Sequence, residues 1–422
     1  MLFPHGILTD MNIYFSGIGG VAIGPLAQIA HDIGYQVRGS DREPGLMTAE
    51  LEARGITLAI GQDGEFLRQS HQSQPLDWFV YTAALPENHP ELVLARELGI
   101  RTAKRDELLA HIITEKNLKL IAVAGTHGKT TTTGMFVWLA KQYGVPVSYS
   151  IGTTLSWAAS GHYDPESEYF IYECDEFDRN FLHFHPYISL ITTLEHDHPD
   201  TFPTEESYME AFRQFSAQSR KVITWRGFEP ILNGSGEVSY IDAPNPSIRM
   251  PGEHNRRNAS LILAALEPLN LPSIKIAEKL DTFPGTNRRF EQLAENLYTD
   301  YGHTPTEIAA TLQMARELSD EVVLVYQPHQ NIRQHTIAHT YSDAIFKDAQ
   351  TVYWLPTYLS REDPQLAILT PSQLTERLSR VVIADLNQEL WDTIELARRD
   401  GKLVLCMGAG SIDAWVRSQL KS

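Results

Sequence analysis

Cysteine is almost absent: the 422 residues contain two, Cys174 and Cys406, far apart in the chain and each in apolar surroundings. Without a CxxC spacing they support neither a zinc site nor a redox pair, and both read as buried reduced thiols of a cytoplasmic protein. Long apolar runs are also missing, so no segment is long enough to cross a bilayer. The opening stretch "MLFPHGILTDMNIYFSG" has no basic region followed by an apolar segment and a cleavage site, so no export signal is expected. Basic residues are the scarcer charge, 35 Lys and Arg against 53 Asp and Glu, for a formal net charge of -18. Nonspecific binding to a nucleic-acid backbone needs a basic surface that releases counterions, so that class is excluded, while a local basic pocket is not. No low-complexity tract, heptad pattern or solenoid-length repeat is found.

What is present suits an ordinary globular protein of three domains, with neither a membrane nor a nucleic acid as partner. The first segment alternates short apolar runs with helical patterns: "MNIYFSGIGG", "VAIGPLAQIAHDIG", "YQVRGSD", then "LDWFVYTAAL" and "HPELVLARELGI". Strand, helix, strand implies a parallel sheet with crossover helices. Its first turn is "GIGGVAIG", and Asp41 closes the next strand. Read as GxGxxA on Gly17, Gly19 and Ala22, the turn fits a nucleotide fingerprint in which glycines let backbone amides approach a diphosphate. A tight turn that binds nothing has the same appearance.

The second segment follows "KRDELLAHIITEKN" and runs through "LIAVAGTHGKTTTT", "YFIYECDEFD", "YISLITTLEHDH" and "RKVITW". Buried strands that each end in polar residues predict a second parallel sheet with chemistry on its carboxyl edge. The third segment starts near "FPGTNRRFEQ" and holds "EVVLVYQPHQ", "TVYWLP", "RVVIADL" and "KLVLCMGAGS", separated by helical stretches. The expected architecture is three doubly wound α/β domains, at 1–106, 107–284 and 285–422, with Rossmann-like sheets at the two ends and a P-loop ATPase between them.

"GTHGKT" puts one cation and a row of hydroxyls between a buried strand and a helix. Backbone amides of such a turn face phosphate oxygens, a lysine adds charge for the outer phosphates, and the next hydroxyl can ligate Mg2+. Gly125, Gly128, Lys129 and Thr130 fit these tasks, although two residues rather than four separate the glycines, so the generic P-loop pattern is met only in its second half. A lysine at an exposed helix start is the bland alternative. Magnesium prefers oxygen ligands. The strand ends "ECDEFD" and "EHDHPD" supply acidic groups, of which Glu173, together with His198, pairs best with Thr130; His183, His185 and His196 read as solvated loop residues.

At this point the residues cease to be generic. "GTHGKTTTT" resembles the ATP loop of the Mur ligases, the ATP-dependent amide-bond ligases of bacterial peptidoglycan precursor synthesis, whose short glycine spacing it shares. "GIGGVAIG...GYQVRGSD", "AALPENHPELVLARELGI", "ECDEFDRNFL", "HDHPDTF", "PGEHNRRNA", "GTNRRFE", "DYGHTPTEI", "QPH" and "GAGSI" match in the same order, over nearly the whole chain. "GTNRRFE" and "QPH" favour the members that join L-alanine to UDP-N-acetylmuramate over those that recycle a tripeptide. The resemblance implies that Gly17, Gly19, Gly20 and Asp41 hold UDP, in place of a dinucleotide. It implies that Gly125, Thr126, Gly128, Lys129, Thr130 and Thr131 hold ATP, that His127 faces the sugar nucleotide, and that Thr130, Glu173 and His198 hold the metal. It places His254, Asn255 and Asn258 near the nucleotide and carboxylate, Arg288 or Arg289 on phosphate, Asp300 on the nucleotide, and His303 with Arg333 on the incoming amino acid. The protein so implied is a monomer or homodimer that closes before chemistry, using ATP and Mg2+ to convert the muramoyl carboxylate into an acyl phosphate; the central-site carboxylates and His303 are the candidate proton acceptors for the amine.

Four departures bear on this reading. Gln330 in "QPHQNIR" stands where the pattern has an arginine, which pairs with a carboxylate better than an amide does. Thr299 and Thr193 replace an expected aspartate and asparagine, and the stretch before "MPGEHN" is short. A nicotinamide-dependent dehydrogenase built on the first segment would leave Lys129, Glu173 and His198 without work, and a noncatalytic descendant would not need them.

Overall fold

Short β-branched and aromatic runs bounded by glycine or acidic turns form eighteen strands among the described residues of the computed structural model, which describes residues 11–82, 85–198, 201–267, 269, 275–360 and 362–421. The export-signal reading rests largely on the first ten residues, and "AALPENH" and "HDHPDTF" include Ala83, Ala84, Pro199 and Asp200; these positions lie outside the described residues.

The first sheet contains β1 (Asn12–Ser16), β2 (Gln36–Asp41), β3 (Thr57–Ile60), β4 (Trp78–Tyr81) and β5 (Arg101–Lys104), in the order β3-β2-β1-β4-β5 and parallel throughout. The chain builds outward from β1 on one side and then restarts with β4 on the other, which leaves a crevice at the carboxyl ends of β1 and β4. The second sheet contains β6 (Lys119–Ala124), β7 (Ser148–Ser150), β8 (Gly161–His162), β9 (Tyr169–Glu173), β10 (Ile188–Ile191), β11 (Val222–Trp225) and β12 (Val238–Ile241), ordered β12-β11-β10-β6-β9-β7-β8. Only the β7–β8 pair is antiparallel. The central strand β6 is buried at every residue after Lys119, as its unbroken apolar run requires when helices cover both faces. The third sheet contains β13 (Glu291–Ala294), β14 (Leu297–Asp300), β15 (Val322–Tyr326), β16 (Thr351–Trp354), β17 (Val381–Ile383) and β18 (Leu403–Met407), ordered β13-β14-β18-β15-β16-β17, with β13–β14 antiparallel and the rest parallel. All three are the doubly wound α/β sheets expected of the sequence.

By packing, the chain divides into two units, Met1–Ile248 with Asn258–Pro284, and Arg249–Arg257 with Gly285–Ser422. The first therefore holds two sheets. Helix Gly24–Ile33, opened by Pro25 and closed by left-handed Gly34, joins them. Gln28 Oε1 accepts from the Gly161 amide at 2.8 Å, and Asp32 accepts from the Tyr163 amide at 3.2 Å while lying 3.0 Å from both Arg54 and His162. The β8 backbone lies so close to this helix that a Cβ on Gly161 would stand 2.0 Å from the Pro25 carbonyl oxygen. Among the described residues no helix is long and apolar enough to cross a membrane. Cys174 and Cys406 are buried free thiols.

Because that oxygen belongs to backbone, Gly161→Ala must push β8 off the helix, and we expect it to cost about 1–3 kcal/mol, read as a lower denaturant midpoint in the full chain; an unchanged midpoint would refute the tight seam.

Candidate active site

The loop after β6 is shaped by what surrounds it. Gly125 has φ +122°, and a Cβ there would meet Thr192 Oγ1 at 2.4 Å and the Thr193 carbonyl oxygen at 2.7 Å. Gly128, at φ +85°, opens the helix Lys129–Gln142, and its missing side chain leaves room for the Asn258 amide, 2.9 Å from where a Cβ would be. Thr192 donates to the His127 carbonyl, Thr193 Oγ1 accepts from the His127 amide at 2.8 Å, and the His127 ring lies 3.2 Å from Glu195. The loop is thus held on β10 through its backbone, and the positive end of a fourteen-residue helix faces its opening.

Lys129 Nζ donates to the Gly125 carbonyl at 2.7 Å, to Glu176 Oε2 at 2.8 Å and to the Thr126 carbonyl at 3.3 Å. An ammonium has three N–H groups, so all are committed. Burial opposes both charges of the pair: it pushes the Glu176 carboxyl up, and it works to lower Lys129, but the charges of Glu176, Asp175 and Glu173 outweigh it and hold the ammonium well above its ordinary range. Tyr208 OH bridges Thr126 Oγ1 at 2.8 Å and Glu176 Oε1 at 3.2 Å. Next to the lysine, Thr130 Oγ1 donates to Glu173 Oε1 at 2.7 Å, and the other Glu173 oxygen accepts from the Gly152 amide at 2.8 Å. Thr131 is half-buried on the same helix turn.

His198, at φ +55°, stands edge-on to Phe177 at 5.2 Å, and its ring falls with Asp175 and Glu176 into a group whose ligand atoms all lie within 4.8 Å of one another. Of the proposed metal ligands, the structure therefore brings Thr130 and Glu173 together, and sets His198 beside Asp175 and Glu176. A hydroxyl, carboxylates and an imidazole form a donor set compatible with Mg2+. Two residues after Glu176, the turn through Asp178 and Arg179 is left-handed at two consecutive non-glycine residues, φ +54° and +58°, and Asp178 pairs with Lys104 at 2.5 Å.

At the carboxyl end of β1, Gly17 has φ +76°, and the Gly17 and Ile18 amides both donate to the Ser40 carbonyl at 2.9 Å. The Gly19 amide donates to Asp41 Oδ2 at 2.7 Å and Gly20 to the Gly17 carbonyl at 3.0 Å. The four amides of the turn expected to hold a diphosphate are thus engaged within the protein, that of Gly19 by Asp41 itself.

In the second unit, Asp300 ends β14 and is almost fully buried; it accepts from the Phe290 amide at 2.8 Å and the Gly302 amide at 2.7 Å. Burial pushes its carboxyl up to about 6, against the pull of Arg289 and those amides. The Arg288 and Arg289 guanidinium groups lie 4.7 and 5.2 Å from the Tyr301 ring, Arg288 stands 3.6 Å from Asp413, and Arg289 3.9 Å from Glu307. His303 is hydrogen-bonded to Arg333, and its ring lies edge-on to His329, itself stacked on Tyr358. Burial, with His303 and Arg333 nearby, lowers His329 to about 4. Gln330 has φ +62° and ψ +119°, a strained backbone for a residue with a side chain, held by its amide on the Tyr358 carbonyl at 2.9 Å. His254 and Asn255 pack here too: burial lowers His254 to about 4, and Asn255 Nδ2 donates to the Pro251 carbonyl at 3.1 Å, whereas Asn258 belongs with the first unit.

Sequence reasoning named neither Tyr208 nor Thr192 as part of the loop's support. Tyr208 lies in "EESYMEAFRQF", whose spacing reads as a helix core face, and nothing local marks its hydroxyl as a partner of residues 82 and 32 positions away.

Family models described as Mur ligase family, catalytic domain; Mur ligase middle domain; and Mur ligase, glutamate ligase domain match residues 12–117, 123–226 and 288–410. A curated relative, the UDP-N-acetylmuramate--L-alanine ligase of Carboxydothermus hydrogenoformans, is 30% identical over 95% of this chain and 94% of its own. In fold, the chain is similar to the crystal structure of UDP-N-acetylmuramate-alanine ligase from Thermotoga maritima, with a TM-score of 0.78 at 24% identity over 97% of this chain and 98% of that one. It is also similar to a murein peptide ligase from Psychrobacter arcticus, with a TM-score of 0.68 at 23% identity over 97% and 98%.

The environment of Asp300 generates a pH signature. Its folded carboxyl keeps a proton up to about 6 and the unfolded one releases it near 3.8, so between those values folding takes up a proton and stability falls as pH rises. From pH 4.5 to 7 this group should cost on the order of 2 kcal/mol, and Asp300→Asn should remove that part of the slope. Urea unfolding of both proteins at the two pH values checks it, and identical slopes would refute it.

Proposed function

We propose a function for this chain, which belongs to the Mur ligase family: it joins L-alanine to the muramoyl carboxylate of UDP-N-acetylmuramate, using ATP, in the synthesis of peptidoglycan precursors. The observation that carries the reading is the phosphate loop, where Lys129 and the Thr130–Glu173 pair meet at one helix N-terminus. On this reading Gly125, Thr126, Gly128, Lys129, Thr130 and Thr131 take the ATP phosphates, with Asn255, Asn258, Arg288 and Asp300 as further nucleotide contacts. Gly17, Gly19, Gly20 and Asp41 take the UDP end, His127 and Arg289 lie toward the sugar nucleotide, and His303 with Arg333 receives the amino acid.

A carboxylate is a poor electrophile, so the muramoyl group first accepts the γ-phosphoryl of ATP, and the neutral amine then displaces phosphate from the acyl phosphate. Lys129 supplies fixed positive charge to the transferring oxygens. To reach them it gives up at least one of its three present acceptors, since none of its N–H groups is free. Thr130 and Glu173 would hold Mg2+, with His198 completing the site, and the ion would neutralise phosphate charge. His303, 3.7 Å from Glu307, is the candidate proton acceptor for the amine; its Nε2 accepts from an Arg333 N–H, so that contact must be released before the ring can take the proton.

Phosphate release from ATP and Mg2+ should need UDP-N-acetylmuramate together with an amino acid, be greatest with L-alanine over L-serine, glycine and a tripeptide, and vanish in Lys129→Ala. Release only with the tripeptide would move the chain to recycling, and silence with all four would overturn the ligase reading. A second prediction concerns Gln330. Restoring the arginine fork in Gln330→Arg should lower the amino-acid KM by about several-fold, as a charge-assisted pair exceeds a neutral one, with kcat little changed; a raised KM would place the Gln330 side chain away from that carboxylate.

A further inference from the structure

Beneath the first turn lies a carboxylate to which the reading above gives no role. Glu91 stands in the first turn of the helix Pro90–Glu97, after β4, and is 1% exposed. Its Oε1 accepts from Tyr14 OH at 2.7 Å and Ser40 Oγ at 2.7 Å; its Oε2 accepts from Ser16 Oγ at 2.6 Å, from Ser40 Oγ at 2.8 Å and from Gln62 Nε2 at 3.4 Å. These partners are all neutral, so the buried carboxylate is held by hydrogen bonds alone.

The residues it gathers are the ones from which the turn hangs. Ser16 is the last residue of β1, immediately before Gly17. Ser40 lies one residue from the end of β2, and its carbonyl takes both the Gly17 and Ile18 amides. Glu91 thus ties the helix after β4 to the ends of β1 and β2 at the reversal point of the sheet, where a ligand crevice opens. We propose that Glu91 is the positioning residue of the Gly17–Gly20 turn, holding the ends of β1 and β2 in the register that the phosphates of the sugar nucleotide require. This rests on the reading that the turn takes the UDP end.

The acceptor has to be a carboxylate. Three hydroxyls donate to it at once, and a carboxylate only accepts, whereas an amide of the same shape turns an N–H₂ group toward a donor. Glu91→Gln therefore keeps the volume and breaks the network, and Ser40→Ala removes one spoke without touching the helix.

Steady-state kinetics of the full chain test this. Glu91→Gln and Ser40→Ala should each raise KM for the sugar nucleotide by about tenfold, the scale of losing a hydrogen bond to a charged group, with kcat within about twofold and KM for ATP unchanged. The double variant should be no worse than the worse single one, because both act through one network. An unchanged sugar-nucleotide KM in Ser40→Ala and Glu91→Gln, fully additive effects, or a loss of stability with all kinetic constants intact would overturn the proposal; Ser40→Ala carries the test if Glu91→Gln does not fold. Gly19→Ala separates the two readings, since its Cβ would stand 2.7 Å from Thr48 Cγ2 and 2.9 Å from Asp41 Oδ2. If Gly19→Ala abolishes sugar-nucleotide binding and Glu91→Gln does not, only the positioning role fails. If binding survives Gly19→Ala, the turn is not the site and both readings fail.

Discussion

The buried ion pair between Lys129 and Glu176 is the constraint on which the loop after β6 depends. Two charges out of water are tolerated only when each has its full set of partners. That requirement reaches outward through named groups: the carbonyls of Gly125 and Thr126 complete the ammonium, and Tyr208 OH takes the second Glu176 oxygen. Tyr208 in turn reaches Thr126, and the residues after β10 pin the loop's backbone so closely that position 125 has no space for a side chain. Glu176 is committed to the lysine, whereas Glu173, proposed above as a metal ligand, accepts from the Thr130 hydroxyl and the Gly152 amide.

The three sheets repeat one solution. In each, a central strand ends in a turn whose amides or side chains are fixed by the neighbouring strand: Gly17 and Ile18 by Ser40, Gly125 to His127 by Thr192 and Thr193, and Gly408 by the Asp300 carbonyl. Parallel strands bring their carboxyl ends to one edge, so each turn stands beside acidic or cationic residues from the next strand. The ligase chemistry proposed above draws on all three edges for different tasks: sugar nucleotide, ATP, and amino acid.

Much of this was legible in the sequence. The apolar runs gave the strands, because buried parallel strands have no alternation to hide them, and GKT after such a run marked the loop. Asp41 was readable as the acid closing β2. What escaped were pairings set by tertiary contact. Glu91 reads as the acidic first turn of an ordinary helix, and its three hydroxyl partners lie 51 to 77 residues earlier. Likewise, the pairing of His198 with Asp175 and Glu176 depends on how two loops fold back, with left-handed turns at Asp178 and at His198 that no propensity predicts. The Gln330 departure was visible as a change of residue, whereas the strain in its backbone was not.

The seam between helix Gly24–Ile33 and the β7–β8 hairpin has a consequence for how such a protein can be altered. Motif boundaries suggest that the first sheet is a cassette, separable from the ATPase and exchangeable between relatives to change the sugar nucleotide that is accepted. The contacts of Gln28, Asp32 and Pro25 with Gly161 to Tyr163 argue against that, since half of the complementary surface is encoded some 130 positions downstream. If the first sheet takes the sugar nucleotide as proposed, the heritable unit of that recognition is discontinuous in the gene: residues 12–104 and the short hairpin must change as a matched pair, and a chimera that moves one alone inherits a misfitted joint.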